Sequence, residues 1–141
     1  MVQLNPYLGF RDTAREAMTF YASVLGGEPT FRTFGDGGMS TDPADADKIL
    51  HSELRLPDGG VLMASDAPSS MTDLPSESSI TVSLSGGPED SERLHGVFAR
   101  LAEGGTHVMP LDTAPWGDEF GMCTDRFGTG WMVSVAAAPA D

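Results

Sequence analysis

His51 and Glu53 stand two residues apart in a run, Ile49–Leu56, whose apolar and polar side chains alternate. On a strand, residues at that spacing share a face, so an imidazole and a carboxylate would lie side by side. Such a pair suits general acid/base work, or a polar anchor for a ligand, in apolar surroundings that tune both groups. It equally suits a local surface contact of Glu53 with His51 or with Arg55. A second set is apolar: Met63, Met109, Met122 and Met132, with Trp116 and Phe120. Thioether side chains are polarizable and adaptable, so this set either lines a pocket for an organic molecule or fills a core.

Other signals carry less chemistry. His95 and His107 fall in unrelated contexts and read as surface residues, and no Ser-His-acid arrangement is readable. Asp36, Asp42, Asp45 and Asp47 lack the twelve-residue calcium pattern with its closing glutamate. The run Gly35-Asp36-Gly37-Gly38 is not followed by a helix start, so it does not read as a phosphate-binding turn. The same absence argues against a nucleotide-type methyltransferase fold. The single cysteine, Cys123, cannot form an intrachain disulfide and reads as a buried, inert thiol on a strand.

The chain has 141 residues and a net charge of −13, from 21 acidic against 8 basic residues. A nucleic-acid partner is excluded by that balance, since phosphates must be neutralised by Lys and Arg. An anionic membrane surface is disfavoured for the same reason. No apolar run approaches spanning length, and the start of the chain lacks a basic region followed by an apolar one. The cytoplasm is the expected location.

The elements that must position these residues come as a repeat. Asp12-to-Gly27 and Asp90-to-Gly105 match at an offset of 78, pairing Arg15 with Arg93, Phe20 with Phe98, and both glycines of each Gly-Gly. Each stretch reads as an amphipathic helix closed by Gly-Gly and followed by strand-like runs. In the first copy, residues 3–10 alternate as a strand, and Thr13 with Glu16 suits a capping box for a helix ending at Leu25. Strands follow at Glu28–Phe34, Ile49–Leu56 and Val61–Ser65. In the second copy, Ser79–Leu84 is the first strand, Gly87-Pro88-Glu89-Asp90 opens the helix, and strands follow at Thr106–Pro110, Trp116–Thr124 and Gly130–Val135. The order is βαβββ twice, in one domain spanning 1–141, with repeats at about 1–66 and 78–136 and a linker at 67–77.

This doubled unit resembles the vicinal oxygen chelate superfamily of glyoxalase, bleomycin-resistance proteins and extradiol dioxygenases. Several phrases resemble its PhnB-like branch: Pro6-Tyr7-Leu8 with Phe10, Phe20-Tyr21, Ala46-Asp47-Lys48-Ile49-Leu50-His51 and Leu62-Met63-Ala64-Ser65-Asp66. Met109-Pro110-Leu111, Trp116-Gly117, Phe120-Gly121-Met122 and Phe127-Gly128 with Trp131 continue the match. The resemblance implies an α+β fold of two curved, mostly antiparallel half-barrels with helices on the convex side and the site on the concave side. The convex faces would hold Leu4, Leu8, Leu50, Leu54, Ile80, Val82 and Trp131. The concave faces would hold Asn5, Tyr7, His51, Glu53, Met63, Ser79, Thr81, Met109, Met122 and Met132.

The metal-ligand positions of that superfamily align with Asn5, Met63, Ser79 and Met132. Two thioethers and two neutral groups make a poor set for a hard divalent ion, so no metal is expected. The expected function is a small-molecule-binding protein without that metal, holding an organic ligand among Asn5, Tyr7, His51, Glu53, Met63, Met109, Trp116, Phe120, Met122 and Met132. Two alternatives stand beside it. One is a lyase, isomerase or dioxygenase using a displaced metal or His51/Glu53, and the other is a dimer with a vestigial cavity. The resemblance also implies a homodimer.

Overall fold

The computed structural model describes residues 2–38, 42–71 and 79–139. The linker expected over 67–77 thus lies partly outside the described residues. The chain divides into two compact units, Met1–Pro75 and Ser76–Asp141. The first runs β1 (Tyr7–Phe10), α1 (Ala14–Leu25), β2 (Pro29–Thr33), β3 (Ile49–Arg55) and β4 (Val61–Asp66), with a single 3-10 turn at Pro43–Asp45. The second runs β5 (Thr81–Gly86), a 3-10 turn at Pro88–Asp90, α2 (Ser91–Ala102), β6 (Thr106–Thr113), β7 (Glu119–Thr124) and β8 (Gly130–Val135). The class is α+β, and each unit is a βαβββ module.

The two modules share one topology: β1-β4-β3-β2 and β5-β8-β7-β6. In each, the first strand pairs in parallel with the last, and the other neighbours are antiparallel. A parallel pair cannot be closed by a tight hairpin. The intervening helix supplies the crossover and covers one sheet face.

Each helix buries one stripe. On α1, Ala14, Ala17, Met18, Tyr21 and Leu25 are buried, the i, i+3, i+4, i+7 pattern read from the sequence. They lie over β3 and its neighbours, where Leu54, Leu62 and Ala64 are buried on the helix side. On α2, Val97, Phe98 and Leu101 are buried over β7 and β8, against the side carrying Cys123, Trp131 and Val133. Each side chain of leucine size so removed from water stabilises the fold by about 1.5–3 kcal/mol.

The second glycine of each Gly-Gly explains why helix and sheet can approach. A Cβ on Gly27 would stand 2.3 Å from the Arg55 carbonyl oxygen, and one on Gly105 would stand 2.2 Å from that of Thr124. Arg55 and Thr124 end the corresponding strands β3 and β7.

Four local expectations are corrected. Thr13 makes no side-chain cap on α1. Instead the buried Asp66, at the end of β4, accepts the Ala14 N–H at 2.9 Å through Oδ1 and the Ile49 N–H at 2.9 Å through Oδ2. Leu4 and Ile80 are not convex-face core residues: both precede their strands and are exposed. Leu50 is only half-buried, because the β2–β3 register slips between Arg32 and Thr33 and leaves it without a partner. Ile49 takes the core position, 1 % exposed, ahead of this bulge. Finally, β7 begins at Glu119, so Trp116 lies in the preceding turn.

The second module has its own buried carboxylate. Asp125 accepts from the Phe127 and Thr129 N–H groups through Oδ1 and from Trp131 Nε1–H at 2.8 Å through Oδ2, fixing the β7–β8 turn to the core tryptophan. Cys123 sits two residues before it, 3 % exposed, and burial followed by the Asp125 charge pushes its thiol above the ordinary range.

Two outcomes follow. Asp66→Ala strands two buried N–H donors and should lower the unfolding free energy by about 3 kcal/mol in urea titration. Cys123 should resist an aromatic disulfide reagent in the native protein and react fully once urea unfolds it.

Candidate functional site

On the face of each sheet turned away from its helix, the registers assemble one row of side chains across four strands. In the first module Met63 lies beside Tyr7 of β1 and Glu53 of β3, and Glu53 lies opposite Thr30 of β2. In the second, Met132 lies beside Ser83 of β5 and Met122 of β7, and Met122 lies opposite Met109 of β6. The rows correspond strand for strand: Tyr7 with Ser83, Met63 with Met132, Glu53 with Met122, Thr30 with Met109. By the same correspondence His51 matches Phe120. Tyr7 and Ser83 are both hydroxyls and Met63 and Met132 both thioethers, whereas at the other three places the first module presents a hydroxyl, a carboxylate and an imidazole where the second presents two thioethers and a phenyl ring.

The polar row is connected. Tyr7 Oη lies 3.1 Å from His51 Nδ1, with the rings tilted at 36°. His51 Nε2 lies 3.8 Å from Glu53 Oε2, an ion-pair distance rather than a hydrogen bond. Glu53 Oε1 contacts Arg55 at 2.8 Å. This oxygen is shielded from solvent and has no aligned hydrogen-bond donor, so the contact is Coulombic. The Glu53–Arg55 contact read from the sequence is therefore present alongside the histidine pair. The bulge at Leu50 matters here. It lets Ile49 enter the core while His51, Glu53 and Arg55 keep the open side.

Opposite His51 on β2 stands Arg32, which the sequence reading did not single out. Thr30 and Ser83 were missed as well. Thr30 and Arg32 share one parity of β2, but their meeting with Glu53 and His51 depends on a register that no local pattern reveals.

The remaining expected residues are placed as follows. Phe120 shares the open face of the second sheet, paired with Ser134 and Asp112. Trp116, 66 % exposed, projects from a turn closed by Gly117 N–H to the Ala114 carbonyl, and its ring centroid is 6.0 Å from that of Phe120. Met109 is half exposed. Asn5 precedes β1 and is half-buried, while Ser79 precedes β5 and is exposed, so neither lies in a row. His95 on α2 is not solitary, for its Nε2 pairs with Glu119 of β7. His107 is exposed in β6 with a left-handed φ of 51°.

When Tyr7 donates its phenolic hydrogen to Nδ1, His51 is held with its proton on Nε2. Tyr7→Phe should then leave both tautomers populated, read from the ring ¹⁵N shifts of His51. An unchanged pair of shifts would contradict the contact.

Residues 2–134 match the family described as 3-demethylubiquinone-9 3-methyltransferase. The crystal structure of protein PA1353 from Pseudomonas aeruginosa is 39% identical with a TM-score of 0.77, covering 98% of this chain and 100% of that one. A PhnB protein from Bacillus cereus is 23% identical with a TM-score of 0.75, covering 96% and 100%. A glyoxylase/bleomycin resistance protein/dioxygenase domain from Frankia sp. EAN1pec shares the fold at 16% identity, with a TM-score of 0.67 and coverage of 99% and 95%. No helix among the described residues is long and apolar enough to cross a membrane. The chain belongs to the family described as 3-demethylubiquinone-9 3-methyltransferase, and it shares its fold with the PhnB protein and with the glyoxylase/bleomycin resistance protein/dioxygenase domain.

Proposed function

We propose that this chain is a small-molecule-binding protein without the metal of its superfamily, and that its ligand is an amphipathic organic compound. The observation that carries the reading is the mixed polar and apolar chemistry of each open face, taken by itself. The open face of the first sheet sets Tyr7, His51 and Glu53 beside the thioether of Met63, and that of the second sets the Ser83 hydroxyl beside Met132, Met122, Met109 and Phe120. Few, well-placed polar groups with a larger apolar surface are what recognition of such compounds requires.

Donor chemistry supports the metal-free part. Beside Met63 stand Tyr7 and Glu53, and beside Met132 stand Ser83 and Met122. Among the described residues no three His, Cys, Asp or Glu side chains gather as a metal set. His51 and Glu53 alone are too few hard donors for a resident divalent ion, so no step is routed through one. The methyl transfer named in the family's description does not fit the fold either. The glycine-rich run at Gly35–Gly38 leads to a 3-10 turn at Pro43–Asp45, not to an α-helix whose N-terminus could take a nucleotide-like donor.

The test is titration with N-phenyl-1-naphthylamine, a neutral fluorescent probe, together with elemental analysis of fresh protein. Saturable binding is expected, weakened at least tenfold by Met122→Asp and accompanied by no stoichiometric metal. Absence of binding, or indifference to both Met63→Asp and Met122→Asp, would refute the binding reading; one equivalent of zinc, nickel, manganese or iron would refute the metal-free one.

A further inference from the structure

The eight Lys and Arg residues all lie within the described part of the chain. Seven are engaged. In the first module Arg11 donates to the Met71 carbonyl, Arg15 lies over the Phe31 ring, Lys48 bridges Asp12 and Asp45, and Arg55 contacts Glu53. The three in the second module also have partners. Arg32 alone, among the described residues, has none. Carboxylates outnumber cations 21 to 8, so scarcity of acids is not the cause. What sets Arg32 apart is its position: it projects from the open face of the first sheet, directly opposite His51.

We infer that Arg32 and His51 together receive an oxyanion, so that the ligand proposed above carries a carboxylate, phosphoryl or sulfonate head group. The inference rests on that binding reading and deepens it. Residues directly opposite on paired strands bring their Cβ atoms to about 4.5–5.5 Å, close enough for two side chains to share one small anion. Tyr7 at Nδ1 leaves the Nε2–H of His51 as a donor, and the Glu53 Oε2 that it faces at 3.8 Å stands beyond hydrogen-bond distance. The carboxylate of the same row, Glu53, is already matched by Arg55 and does not neutralise Arg32. A guanidinium offers a planar fork that binds an oxyanion through two parallel hydrogen bonds, which a lysine cannot copy. In a chain of net charge −13, long-range attraction for an anion is absent. Recognition must come from this short-range pair, which makes an unpaired arginine there informative.

A matched pair of probes tests it. 8-Anilinonaphthalene-1-sulfonate is N-phenyl-1-naphthylamine with a sulfonate added. At fixed 0.15 M salt, Arg32→Gln should weaken sulfonate-probe binding at least tenfold and leave the neutral probe's affinity unchanged, with Arg32→Lys intermediate. Arg32 is exposed, so both variants should keep the wild-type amide spectrum. Displacement of the sulfonate probe by benzoate or phenylphosphonate, but not by benzamide, supports the inference, and the tighter competitor identifies the head group. Equal sulfonate-probe affinity in wild type and Arg32→Gln overturns it while neutral-probe binding keeps the parent reading. If neither probe binds the wild type, both readings fall.

Discussion

One buried carboxylate organises the first module. Asp66 ends β4, yet its two oxygens hold the first N–H of α1 and the first N–H of β3. Three elements that are far apart in sequence thereby meet at a single side chain. A helix N-terminus presents unsatisfied donors and a partial positive charge, and an acid there answers both. The consequence reaches the open face. Ile49 is fixed at the mouth of β3, the unpaired Leu50 follows as a bulge, and His51 and Glu53 emerge on the side away from the helix. Without the bulge, the same alternation would place either Ile49 or His51 on the wrong side.

The second module reaches the same topology by other means. Val135 occupies the place that Asp66 holds; no side chain caps α2, and Asp90 instead accepts the Gly87 N–H at the start of the 3-10 turn that leads into it. Its buried carboxylate, Asp125, serves the β7–β8 turn and the indole of Trp131 instead. The shared architecture therefore does not depend on one conserved polar contact. It depends on the helix stripes and on the Gly27 and Gly105 positions, where each helix-to-strand connection passes against a strand carbonyl.

Much of this was legible in the sequence because the signals are local. Ala14, Ala17, Met18 and Tyr21 announce a helix through spacing alone, and the alternation around His51 announces a strand and puts Glu53 on the same face. The doubled Gly-Gly reveals the repeat. What escaped was non-local. The Asp66 cap acts over 52 residues, so Thr13 and Glu16 looked sufficient as a local capping box. The Leu50 bulge is a property of the β2–β3 register, not of the β3 sequence. Arg32 was overlooked for the same reason: nothing near it in the chain marks it, and only the pairing sets it against His51. Trp116 looked like the start of a strand by its apolar character, whereas the Asp118 carbonyl accepts the Ala114 N–H and closes a turn around it.

The strand-for-strand match of the two rows has a further meaning. A single βαβββ module that assembled with copies of itself would have to display one row everywhere, and any change at one position would be repeated at its mate. Joining two modules in one polypeptide uncouples them. Glu53 and Met122 occupy equivalent places but answer to separate codons, so one copy could become acidic while the other became a thioether. Two modules in one polypeptide thus supply more than a second sheet: they lift the obligation of symmetry, so each row can differ without altering the scaffold that holds it.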